Sequence, residues 1–87
     1  MAQAIKTTAS FDRRYKKLPR KIKDKAKEKE NIFRNNPFDH RLRTHKLHGK
    51  EKEMWAFWID YKYRIKFVFL GEGEVLLLDV GTHDMYK

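Results

Sequence analysis

Twenty-one Lys and Arg against 12 Asp and Glu in 87 residues give a formal net charge of +9 and an isoelectric point near 9.9, a balance suited to phosphate-backbone partners. The length allows one domain, residues 1–87, with a modest core to which an aromatic content of 14% adds large buried areas. The lack of cysteine excludes a disulfide framework or thiolate metal site and fits a reducing, cytoplasmic setting, while the longest apolar run, WAFWI at 55–59, is far too short for a membrane span. The opening MAQAIKTTAS is not expected to act as a secretory signal.

Taken in chain order, AIKTT near the start suits a short strand, since Ile and two Thr favour extended backbone. Ser10 stands where an N-cap belongs. Phe11, Tyr15 and Leu18 then recur at helical spacing, so the pattern predicts a first helix over 11–18. Pro19 interrupts it and suits the start of a second helix, about 20–35, with a narrow stripe of Ile22, Ala26 and Phe33. Residues 13–29 carry ten Lys and Arg against Asp24 and Glu28, either a solvated face or a docking surface. NNP at 35–37 ends the helix, because the residue before proline avoids the helical region.

The rest reads as strands. MWAFWID (54–60) and YRIKFVFL (63–70) are aromatic and β-branched, with a tight turn at Tyr61 and Lys62; GEG (71–73) leads into EVLLLDVGT. A shorter strand near HKLHG (45–49) can join one edge. The expected class is α+β, with an N-terminal helical hairpin packed on one face of a small antiparallel sheet. Alternation puts Tyr63, Ile65, Phe67 and Phe69 on the helix-packed face and Arg64, Lys66 and Val68 on the other. In the last strand it assigns Leu76, Leu78 and Val80 to the covered face and Asp79, Gly81 and His83 to the open one, a register that a single bulge would break. Trp55, Phe57 and Ile59 read as core, whereas parity turns Trp58 outward.

Four histidines stand at 40, 45, 48 and 83. His45 and His48 lie three apart, but without cysteine and among lysines they make a poor zinc site, so no metal or other cofactor is expected. RNA cleavage makes better use of these residue types. Attack of a ribose 2′-hydroxyl on its own phosphate needs a base, an acid and a cation; imidazole suits either proton role and guanidinium the third.

At RLRTHKLHGKEKEMWAFWIDYKYRIKFVF and the terminal GTHDMYK, the sequence resembles the RelE/ParE superfamily of toxin–antitoxin toxins, and its YafQ-like branch most. The early FDRRYKKLP helix, the HKLHG entry, the YRIKFVF strand and GTH occur in the family's order. The resemblance implies the RelE-like fold and a ribosome-dependent endoribonuclease that cuts mRNA in the ribosomal A site, in contact with 16S rRNA. It further implies a cognate antitoxin, with a hetero-oligomeric complex and a free monomer. His45 matches the histidine of the YafQ-like HxLxG segment, His83 that of the terminal GTH, and Arg64 the strand arginine directed to the scissile phosphate. These three are the expected catalytic set, with base and acid left open between the histidines. Arg43, Lys46, Lys50, Lys52, Lys66 and Tyr86 are the expected RNA-binding set. This chain departs from the YafQ pattern by carrying Trp58 and Lys62 where a further His and an Asp are usual.

Other readings fit the same residues. ParE-like members of the superfamily inhibit gyrase, and the chain could also be a non-catalytic RNA- or ribosome-binding module. Residue by residue, Arg64 could guard an edge strand against aggregation, Lys50 and Lys52 could pair with Glu51 and Glu53, and Trp58 could stack on a base or meet an antitoxin.

Overall fold

A computed structural model of the chain describes residues 3–49 and 53–82. Its elements are β1 (Ala4–Thr7), α1 (Ala9–Lys16), α2 (Arg20–Asn35), a 3-10 turn (His40–Leu42), β2 (His45–Lys46), β3 (Trp55–Trp58), β4 (Tyr63–Gly71) and β5 (Glu74–Thr82). The five strands form one sheet in the order β1-β5-β4-β3-β2. From β2 to β5 neighbours are antiparallel, and the β3–β4 and β4–β5 turns are too short for any other pairing. The sheet as a whole is mixed, because β1 pairs parallel to β5. Both helices intervene between these two strands, and so long a connection permits a parallel pairing that a hairpin cannot make.

The helix starts differ from expectation. Thr8, not Ser10, caps α1: its hydroxyl accepts from the Phe11 N–H at 3.0 Å and donates to the Leu78 carbonyl at 2.9 Å. One side chain thus satisfies an orphan helix donor and ties α1 to β5. Pro19 precedes α2 without a side-chain cap. From α2, Ala26 and Phe33 are fully buried, as their stripe indicates, and Ile22 packs beside them.

Phe33 meets Phe57 of β3 in a stacked contact at 4.6 Å and Phe67 of β4 edge-on at 4.9 Å. Such ring pairs add to area burial, and all three rings are excluded from solvent. Phe11 and Leu18 from the hairpin and Leu42, Ile59, Ile65, Val75, Leu77 and Val80 complete the core. Trp55 is only partly buried and joins an aromatic group with Phe38 and Phe69 at the sheet's rim.

The last strand corrects the parity assignment. Lys66 pairs with Asp79 but Phe67 pairs with Leu77, so β5 bulges at Leu78. Upstream of the bulge the core residues are Val75 and Leu77, and downstream Val80; Leu76 and Leu78 are not among them. The extra residue switches the phase, as a bulge must. Gly81 still falls opposite Arg64, because both belong to the stretch from Tyr63–Thr82 to Lys66–Asp79 that keeps one register before the shift.

Candidate active site

The open face is built from rows of cross-strand partners. Trp58, Arg64 and Gly81 form one row; His45, Ala56, Lys66 and Asp79 form the next. Partners in an antiparallel register share a face, so His45 and Arg64 lie on the same side of the sheet. Two strand spacings and one two-residue step put their Cα atoms roughly 12 Å apart. That gap suits two long side chains acting on either end of one ribose-phosphate. Arg64 sits on β4, inside the sheet order, so it does not guard an edge.

Arg64 is held in place from two directions. Its guanidinium carbon lies 4.1 Å from the centroid of the Trp58 ring, a cation–π contact. One terminal nitrogen donates to the Tyr61 carbonyl at 3.0 Å. That carbonyl is presented by the β3–β4 turn, where Asp60 Oδ1 accepts from the backbone N–H of Lys62 (2.9 Å) and Tyr63 (2.8 Å). An Asp bonding the amides that follow it is a standard turn former. The Nε of Arg64 is buried and has no hydrogen-bond partner among the described residues.

The segment before β2 brings the imidazole. Asp39 caps the 3-10 turn and accepts from the Arg41 N–H. The Arg41 side chain also clasps it through two bonds of 2.9 Å, and these hold the Asp39 carboxyl well below the usual carboxylate range. Arg43 follows in the left-handed region at φ 51°, and Thr44 donates to the Pro37 carbonyl. The turned backbone lets the Arg43 carbonyl meet Nδ1 of His45 at 2.9 Å. A carbonyl can only accept, so Nδ1 carries the proton, and in the neutral ring Nε2 presents a lone pair. The exposed His45 ring is thereby set up to accept a proton. The Arg43 side chain reaches Trp58 as well, with its guanidinium carbon 4.7 Å from the ring centroid.

The structure therefore brings together His45, Arg43, Trp58 and Arg64. Lys66 stands on the same face. Lys46 is in register with Trp55 and so belongs to the opposite face. His83, Lys50, Lys52 and Tyr86 lie outside the described residues. His40 and His48 are exposed, and among the described residues no three potential ligands gather around a metal position. Asp79, opposite Lys66, is engaged by Arg14 at 3.2 Å and by the Val80 N–H at 2.9 Å. Sequence reasoning missed Asp60 and Tyr61 as supports of Arg64. The IDYK turn carries the signal, since Asp at the head of a tight turn fixes its amides.

No protein-family model and no curated protein matches the sequence. Solved structures do match its fold. A YoeB/ParE toxin from Agrobacterium tumefaciens superposes with a TM-score of 0.78 at 16% identity, covering 93% of this chain and 99% of that one. The RelE–RelB complex of the archaeon Pyrococcus horikoshii OT3 gives 0.75 at 15%, covering 94% and 96%. The E. coli DinJ–YafQ toxin–antitoxin complex gives 0.73 at 18%, covering 98% and 97%. The chain thus has the RelE-like α+β toxin fold.

Proposed function

We propose that this chain, folded as the RelE, YafQ and YoeB toxins are, is the toxin of a toxin–antitoxin pair and a ribosome-dependent mRNA endonuclease. The observation that carries the reading is the common face of His45 and Arg64, with His45 Nδ1 donating to the Arg43 carbonyl. His45 is the base: Nε2 takes the 2′-hydroxyl proton as the O2′–P bond forms. Arg64 stabilises the charge that develops on the phosphorane oxygens, the kind of preorganised contribution that weighs most in such reactions. His83, assigned from its GTH context, protonates the departing O5′ as the P–O5′ bond breaks. The products are a 2′,3′-cyclic phosphate and a 5′-hydroxyl. Arg43 and Lys66 hold the RNA backbone, and the +9 net charge draws the protein to ribosomal and messenger RNA. The expected setting is the cytoplasm, where a cognate antitoxin holds the toxin inactive. The neighbouring E. coli structure is itself a toxin–antitoxin complex.

The test is inducible expression followed by mapping of mRNA 5′ ends, with supercoiling of a reporter plasmid measured alongside. New 5′ ends within translated messages are expected, falling by ~10²–10⁴ in rate with His45→Ala or His83→Ala. No new ends together with altered supercoiling would replace the nuclease reading with gyrase inhibition.

A further inference from the structure

We infer that Trp58 is a positioning residue that sets Arg43 and Arg64 on one aromatic platform as a two-guanidinium station for a single RNA phosphodiester; the inference rests on the ribonuclease reading above. Its ground is a junction of three side chains from three parts of the chain. Arg43 arrives from the end of the 3-10 turn, Trp58 from β3 and Arg64 from β4, and both guanidinium carbons lie within cation–π distance of the one ring, at 4.7 and 4.1 Å.

Two like charges gathered on one ring repel each other, and a structural role would be expected to supply a carboxylate. None of the described carboxylates does so. Asp79 is taken by Arg14, Asp39 by Arg41, and Asp60 by turn amides with Lys25 at 3.8 Å. Neither Arg43 nor Arg64 has an ion-pair partner among the described residues. The ring's negative face offsets part of the repulsion, and an anion touching both cations would remove the rest. Planar guanidiniums offer paired donors matched to phosphate oxygens, so a phosphodiester is the fitting anion.

The backbone points the same way. Arg43 holds a left-handed φ of 51°, a conformation that glycine adopts without cost and a side chain does not. A purely structural turn gains nothing from arginine there. This station sits beside the imidazole, because the same Arg43 residue offers its carbonyl to His45. Trp58 thus acts through its neighbours: its ring aims guanidiniums, and stacking on a base would compete with them for its faces.

The experiment uses the full chain and a 2′-O-methyl RNA oligomer, which binds but cannot be cleaved by 2′-hydroxyl attack. Dissociation constants are measured against salt for Trp58→Leu, Trp58→Phe, Arg43→Gly and the Trp58→Leu/Arg43→Gly pair, with thermal melts of each. Trp58→Leu should weaken binding about 3- to 30-fold although no charge is lost, while Trp58→Phe, which keeps a ring, recovers most of it. Arg43→Gly should weaken binding, lower the salt slope by about one, and leave the melting point equal or higher. In the pair, Arg43→Gly should add little to Trp58→Leu. Independent, multiplying effects would overturn the platform, and so would wild-type binding by Trp58→Leu. Should Trp58→Leu fail to fold, Trp58 emission in a Trp55→Phe background decides. The oligomer should shift that emission in the parent and not with Arg43→Gly, and no shift in the parent overturns the inference. Cleavage in a translating extract is scored separately. Coupling in the cycle without any cleavage sinks the nuclease reading alone, and cleavage with no coupling sinks the platform alone.

Discussion

The two faces of the sheet are made by the same strands and obey different rules. On the covered face Phe57 and Phe67 meet Phe33 of α2 with Ile65 in the same core, all fully buried, and no buried residue of the described chain is polar. One residue along each strand, on the open face, Trp58 and Arg64 gather positive charge without a carboxylate partner among the described residues. The period of two along a strand lets adjacent residues serve stability and chemistry separately. The covered face spends its side chains on packing; the open face keeps cations together at some cost and leaves an imidazole exposed. Substitutions on the two faces should therefore fail in different assays.

The largest effect belongs to the covered face. Phe33→Ala removes the ring that touches both Phe57 and Phe67 and should cost about 3–5 kcal/mol in urea unfolding. Activity then disappears with the fold, and a loss below about 1 kcal/mol would show that the ring cluster is not the keystone. Next comes the open face. Arg64→Ala should lower mRNA cleavage by ~10²–10³ while ribosome binding is largely kept. A parallel fall in binding would make Arg64 a docking residue. Thr8→Ala tests the link between layers. Losing a cap that also bonds the Leu78 carbonyl should cost about 1 kcal/mol in thermal or urea melts, with cleavage by the folded fraction unchanged.

The smallest effect is a pH dependence at the helical hairpin. Burial between α1 and α2 pushes the Glu30 carboxyl up, against the lowering pull of Arg34 and Lys27. A carboxyl raised in the folded state binds its proton more tightly there than in the unfolded chain. Its contribution is thus most favourable below the ordinary glutamate range and is lost as pH rises through the raised value. Glu30→Gln should raise the melting point slightly at neutral pH, and the gap should close on acidification. Asp39 works in the opposite sense, since its lowered carboxyl favours folding above the usual range and the gain fades as pH falls. A Glu30→Gln gap that widens in acid would contradict the assignment.

How much of this was legible in the sequence depended on where apolar residues alternate. YRIKFVF alternates cleanly, so Ile65 and Phe67 read as core and Arg64 as open, and the structure agrees. VLLLDV does not alternate: Leu76, Leu77 and Leu78 are equally apolar, so the pattern carries no phase and the bulge at Leu78 is invisible. The cap was hidden for a similar reason, because Thr7, Thr8 and Ser10 all offer hydroxyls within one turn and tertiary contact with β5 selects Thr8. Pairing of β1 with β5 spans nearly the whole chain and leaves no local signal. At the site, His45 and Arg64 came from the family likeness, and the parity reading put Arg64 on the open face. Their supports did not, because the Arg43 backbone turn, the Trp58 platform and the Tyr61 carbonyl exist only once three separate segments meet.

The proposed ribonuclease activity belongs to the uncovered side of the sheet and is independent of what holds the protein together. Its most direct test measures, in one translating extract, the mRNA cleavage rate and the melting point of the parent and of His45→Ala. The rate of His45→Ala should be lower by ~10²–10⁴ at an unchanged melting point. Cleavage by the folded variant at the parent's rate would contradict it.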